Sequence, residues 1–234
     1  MLEVENLVAG YGQMQVLHGM TFRVQEGQLV SLLGTNGAGK TTTLRTISGL
    51  LKTRGGQVRF MGENISRHSA GEIVKAGLVQ VPEGRKLFVD MTVMENLELG
   101  AYTPKARKNR KKNLEWVFEL FPILKERQKQ LVGSMSGGQQ QMVAIARGLM
   151  AEPKLLIMDE PSIGLSPLLT KQVFEIIRTI KDQGVTVLLV EQNLDQALSM
   201  SDYAYVVEHG RVIMSGTGEE LMNDENLKKA YLGM

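Results

Sequence analysis

Three short stretches of this chain hold residue types that can handle the phosphates of a nucleotide. The first is Gly34-Thr35-Asn36-Gly37-Ala38-Gly39-Lys40-Thr41, which fits G-x-x-x-x-G-K-[ST] at every fixed position. Glycines let successive backbone N–H groups converge on phosphate oxygens. A helix opening at the end of the loop adds the positive end of its dipole. Lys40 can reach the β- and γ-phosphates, and the Thr41 hydroxyl can coordinate Mg²⁺. The expected cradle runs from Asn36 through Gly37, Ala38, Gly39, Lys40 and Thr41 to Thr42.

The second stretch is Leu155-Leu156-Ile157-Met158-Asp159-Glu160, an apolar run ending in two acids. Ligands of open α/β sheets bind at the carboxyl ends of the strands. Asp159 there can hold Mg²⁺, through water, and Glu160 can polarise an attacking water as a general base. The third is Ser136-Gly137-Gly138-Gln139, a serine and two glycines at a helix start, which makes a second anion site.

These residues need a scaffold that brings loops together. Strand signals lie at Leu2–Leu7, Val16–Val24, Gln28–Leu33, Gln57–Met61 and Leu78–Val81. Residues 84–151 read as mostly helical, with helices over Thr92–Gly100, Lys105–Leu120 and Gln139–Met150. Strand and helix then alternate: Leu155–Met158, Pro167–Lys181, Val185–Val190, Leu194–Met200, Tyr203–Val207. Such alternation predicts a parallel sheet wrapped by helices, with the helical middle inserted into it. Thr41–Leu50 is expected as the helix after the glycine loop, and Gly218–Met234 as two short helices.

Composition agrees with one large α/β unit. The chain has 234 residues, 43% of them apolar, and no cysteine, which excludes a disulfide scaffold, a thiolate metal site and a cysteine nucleophile. Its net charge of +2 excludes a nucleic-acid binder held by bulk charge. The longest apolar runs are strand-sized, and the first residues lack the pattern of a signal peptide, so the expected compartment is the cytoplasm.

The segment Met135-Ser136-Gly137-Gly138-Gln139-Gln140-Gln141 resembles the LSGGQ signature of ATP-binding cassette (ABC) proteins, with Met at the leading position. The resemblance extends over essentially the whole chain. It implies an α/β fold: a P-loop NTPase core with an N-terminal antiparallel β subdomain and an inserted helical subdomain at about 84–151, all within one nucleotide-binding domain of residues 1–234. It also implies ATP hydrolysis with Mg²⁺. The partners implied are a second ABC ATPase subunit, identical or different, and integral membrane permease subunits. A substrate-binding protein follows indirectly, and the place of work is the cytoplasmic face of the membrane. In the family, the signature of one subunit caps ATP held by the other, which gives Ser136 to Gln139 their expected role. Tyr11, 29 residues before Lys40, stands where the family stacks an aromatic on adenine. Ser162 to Pro167 stands where the family has its dimer-contacting D-loop.

Two positions depart from the general pattern. Glu83, in Val81-Pro82-Glu83-Gly84-Arg85, replaces the usual Q-loop glutamine and is expected beside Mg²⁺ with Thr41 and Asp159. Gln192, in Val190-Glu191-Gln192-Asn193, replaces the switch histidine; its amide can bond a γ-phosphate but cannot titrate near neutral pH. Together with Leu120 to Arg127, these segments resemble the ATPases of branched-chain amino-acid uptake systems, or of related urea and short-amide importers; a soluble ABC ATPase outside transport is the further alternative. Lys105, Arg107, Lys108, Arg110, Lys111 and Lys112 read as a solvated helix face, with attraction to anionic lipid as a second reading. His18, His68 and His209 show no metal-ligand spacing.

Overall fold

The computed structural model describes residues 1–228. Strands β1 (Leu2–Tyr11) and β2 (Met14–Val24) form an antiparallel hairpin in which Tyr11 faces Met14. β3 (Leu29–Leu33) is buried throughout and runs into the glycine loop and α1 (Lys40–Ile47). β4 (Gly55–Phe60) and the short β5 (Glu63–Asn64) complete a four-stranded antiparallel sheet of order β2-β1-β4-β5, the expected N-terminal subdomain.

Then follow α2 (Ala70–Ala76), β6 (Leu78–Val81), α3 (Val93–Gly100), α4 (Pro104–Lys108), α5 (Arg110–Leu120) and α6 (Pro122–Glu126). After a 3-10 turn over Val132–Ser134 come α7 (Gly137–Leu149), β7 (Leu155–Asp159), α8 (Pro167–Asp182) and β8 (Thr186–Glu191). The remaining elements are α9 (Leu194–Leu198), β9 (Tyr203–Glu208), β10 (Arg211–Gly216), α10 (Gly218–Asn223) and α11 (Glu225–Leu227).

The central sheet has the order β10-β9-β3-β8-β7-β6. All its pairings are parallel except β10 with β9, so the expected parallel sheet is in fact mixed at one edge. Strand side chains alternate between faces. Val30, Leu32, Leu155, Ile157, Leu188 and Val190 therefore join the core shared with α1 and the antiparallel sheet. Leu29, Leu33, Leu156, Met158, Val187 and Leu189 join the core shared with the helical middle. This two-sided burial explains the continuous apolar runs of β7 and β8.

Several boundaries differ from the sequence expectations, each for a local reason. The expected Lys105–Leu120 helix is split at Asn109, with α4 capped by the Thr103 side chain and opened by Pro104. The helix after the glycine loop stops at Ile47, because Gly49 turns left-handed (φ 72°). The capping box of Ser69 and Glu72 builds α2, which the apolar spacing did not reveal. Helices α10 and α11 match the two expected near the C-terminus; residues 229–234 of that expectation lie outside the described residues. The six clustered cations are all exposed; Lys105 pairs with Glu152 (3.0 Å) and Arg110 with Glu98 (3.3 Å). No helix among the described residues is long and apolar enough to cross a membrane.

Candidate functional site

The glycine loop sits between the end of β3 and the start of α1, as its spacing requires. It is stapled from below by the tight β9–β10 turn: Gly210 donates its N–H to the Ala38 carbonyl (2.8 Å), and His18 donates to the Gly210 carbonyl (3.0 Å). Gly210 is left-handed (φ 72°), and a Cβ there would lie 1.9 Å from the Val16 carbonyl oxygen. Gly39 caps α1 in the left-handed region (φ 105°), where a Cβ would press on Leu17 at 3.0 Å. The loop can take this path only with glycine at that corner.

Beside it opens a cavity of about 380 Å³ lined by Asn36, Gly37, Gly39, Lys40, Thr41, Thr42, Glu83, Glu160 and Gln192, with Met14, Val16 and Ile163. The fold thus brings together the phosphate-loop residues, one of the two terminal acids, and both positions that depart from the general family pattern. Ala38 is buried in the core and contributes its backbone to the loop. Tyr11 does not line the cavity. It is 41% exposed, and its hydroxyl accepts from the Arg45 guanidinium (3.1 Å), which also lies 6.0 Å from the ring centroid. Met14, opposite Tyr11 in the hairpin, and Val16 supply the apolar wall instead.

Lys40 is 4% exposed and donates to the carbonyls of Gly34 (2.8 Å) and Thr35 (3.0 Å). Its ammonium is 3.3 Å from Glu160 Oε1. The other Glu160 oxygen accepts a hydrogen bond from the Gln192 side-chain amide. Glu160 itself is held at φ 49°, a left-handed conformation that costs a non-glycine residue about 1–2 kcal/mol. Its N–H donates to the Val190 carbonyl (2.9 Å), which fixes the turn leaving β7 against β8.

Asp159 is 3% exposed, and its Oδ1 has no hydrogen-bond partner. Burial, then the neighbouring charges of Glu160 and Glu83, push its carboxyl up to about 6; Lys40 and Arg45 oppose the rise. A buried acceptor without a donor, beside two further carboxylates, suits a cation. Among the described residues no group of three or more His, Cys, Asp or Glu side chains is placed to hold a metal alone. The donor set therefore fits a Mg²⁺ that also takes the Thr41 hydroxyl, phosphate oxygens and water.

Ser136, Gly137, Gly138 and Gln139 lie apart from this cavity, at the N-terminus of α7. Ser136 and Gln139 form a reciprocal capping box. Next to them, Arg85 donates to the side-chain oxygens of Gln140 (3.1 Å) and Gln141 (3.3 Å), and Arg147 donates to the Arg85 (3.1 Å) and Lys86 (2.8 Å) carbonyls. The segment after Glu83 is thereby latched to α7 through three successive left-handed residues, Gly84, Arg85 and Lys86.

Sequence reasoning missed Glu191. It ends β8 at 2% exposure, and burial pushes its carboxyl up against the lowering pull of the Ser162 and Gln192 hydrogen bonds. An acid closing an otherwise apolar strand was the available signal.

Comparison with known proteins shows the family and the fold. The ABC transporter family model matches residues 17–163. The chain is 45% identical, over the full length of both, to the high-affinity branched-chain amino acid transport ATP-binding protein BraG of Pseudomonas aeruginosa. It is 34% identical to the lipopolysaccharide export system ATP-binding protein LptB of Haemophilus influenzae, covering 99% of this chain and 97% of that one. Among solved structures, an ATP-binding cassette of an ABC transporter in its ADP conformation superposes with a TM-score of 0.85 at 31% identity, covering 100% and 99% of the two chains. A dimeric bacterial ABC transporter cassette gives a TM-score of 0.79 at 25% identity, covering 93% and 98%. The chain belongs to the ABC transporter family, and its fold is that of an ATP-binding cassette ATPase.

Proposed function

We propose that this chain is the ATP-hydrolysing subunit of a membrane importer for branched-chain, hydrophobic amino acids, working at the cytoplasmic face of the membrane. The observation that carries the chemistry is the contact chain Lys40–Glu160–Gln192 in the wall of the phosphate-loop cavity. The full-length likeness to BraG supports the substrate class. The likeness to LptB supports a second reading, an exporter of the same fold; a urea or short-amide importer is a third.

In this reading, backbone N–H groups of Asn36 to Thr42 cradle the phosphates, and Lys40 leaves the Gly34 and Thr35 carbonyls to neutralise the β- and γ-phosphates. Thr41 and Asp159 hold Mg²⁺, with Glu83 in support; the ion supplies charge neutralisation of the phosphates. Losing Lys40 to the phosphates frees Glu160 to accept a proton from the attacking water. Gln192, already bonded to Glu160, orients that water or the γ-phosphate with its amide. Tyr11 offers a ring to adenine at the hairpin, next to Met14 and Val16. Ser136, Gly137, Gly138 and Gln139 close over ATP held by a second cassette, so two chains trap nucleotide between them.

An apolar groove of about 440 Å³ between the core and the helical middle is lined by Leu50, Phe88, Leu99 and Tyr102 among others. These four side chains are 42–67% exposed, an apolar surface suited to a segment of a permease subunit. Reconstitution with membrane subunits and a panel of loaded binding proteins tests the reading. ATPase stimulation by leucine-, isoleucine- or valine-loaded protein is expected. Stimulation by an amide-loaded protein alone, or export of a lipid substrate, would contradict it.

A further inference from the structure

We propose that Glu191 is a positioning residue that ties the loop leaving β7 to the loop leaving β8, so that Glu160 and Gln192 keep one relative geometry. The inference rests on the reading that Glu160 and Gln192 carry out hydrolysis. Glu191 Oε1 accepts from the Ser162 N–H (3.0 Å), two residues beyond Glu160. Glu191 Oε2 accepts from the Gln192 N–H (3.2 Å). Flanking these, the Val190 carbonyl accepts from the Glu160 N–H (2.9 Å), and the Gln192 amide donates to Glu160. Residues 190, 191 and 192 thus each bond the turn that runs from Glu160 to Ser162.

A carboxylate suits this place because it only accepts. Both converging groups are N–H donors, and each needs its own oxygen. An amide at the same position satisfies one N–H and turns its own NH₂ toward the other. A neutral apolar residue would strand both donors in a site that is 2% exposed. Burying an ionisable group among apolar strands is costly, and the two backbone bonds are what offset that cost here.

The test is a double-mutant cycle on the full chain. Steady-state ATPase and thermal unfolding are measured for wild type, Glu191→Gln, Gln192→Ala and the double variant. Glu191→Gln is expected to lower kcat by about ten-fold, with KM for Mg-ATP within about two-fold and little change in Tm. In the Gln192→Ala background the same substitution should cost less than about two-fold, because the side-chain amide whose placement against Glu160 depends on Glu191 is gone. An unchanged kcat, an equal factor in both backgrounds, or a kcat loss that follows a fall in Tm would overturn the proposal. Should Glu191→Gln not fold, Glu191→Asp keeps both oxygens on a shorter stem; wild-type kcat in that variant overturns the proposal, and a fall at native Tm supports it. Glu160→Gln is assayed alongside. Loss of its turnover keeps the hydrolysis reading standing even when Glu191 proves silent.

Discussion

At the residue scale, the site is a set of buried charges poised against one another. Asp159 shows the consequence most plainly. Its folded carboxyl is raised to about 6 from 3.8, so the ionised form is disfavoured in the fold. The stability this group contributes is complete below its unfolded value and is lost as pH rises through about 6. Two units correspond to about 3 kcal/mol at pH 8. Asp159→Asn should therefore raise Tm at pH 8 without nucleotide or Mg²⁺. The gain should shrink as pH falls below about 6 and vanish below the unfolded carboxylate range. A gain independent of pH, read by calorimetry, would remove the buried-charge explanation. Much at this scale was legible beforehand. The glycine loop, Lys40, Asp159 and Glu160 follow from residue type and spacing. Gln192 and Glu83 were placed by resemblance, and both line the cavity. For Glu191 the sequence shows only an acid closing an apolar strand; its role depends on two N–H groups arriving from different loops.

At the element scale, helix α7 joins the parts. It carries Ser136 at its cap and Arg147 in its last turn, and it packs against α3. Gly100, at the end of α3, permits that approach: a Cβ there would lie 2.1 Å from the Arg147 carbonyl oxygen. Gly100→Ala should destabilise the protein by about 1–3 kcal/mol through forced separation of the helices, measured by urea unfolding. A neutral result would mean that α3 can slide without cost. Arg147→Ala should loosen the Gly84–Lys86 turn and raise amide exchange of that segment; unchanged exchange would show that the latch is dispensable. The elements hidden from the sequence share one trait. The edge strand β10 shows only weak alternation and is defined by pairing with β9, and α2 rests on a polar capping box more than on an apolar stripe. Long-range pairing and caps decide such elements, and hydrophobic periodicity does not report them. The missed β9–β10 turn also turned out to support the phosphate loop from beneath.

At the scale of the whole molecule, the glycine-flanked helix starts at Lys40 and at Gly137 lie apart, and of these two only the first opens on the cavity that contains Glu160. In the proposed function, the second start meets nucleotide held by a second cassette. The apolar groove bordered by Leu50, Phe88, Leu99 and Tyr102 is the exposed surface that the proposed function assigns to a membrane subunit. Leu99→Asp should lower stimulation by reconstituted membrane subunits at least several-fold more than it lowers the rate of the isolated chain. Equal losses in both assays would argue against that docking. In the proposed function, Glu160 drives ATP hydrolysis inside a nucleotide-bridged pair of cassettes. Turnover and sedimentation of Glu160→Gln in Mg-ATP decide this. Retained ATP binding, turnover reduced by at least about 100-fold and a stable ATP-dependent dimer are expected. Wild-type turnover, or a variant that binds ATP and remains monomeric, would contradict it.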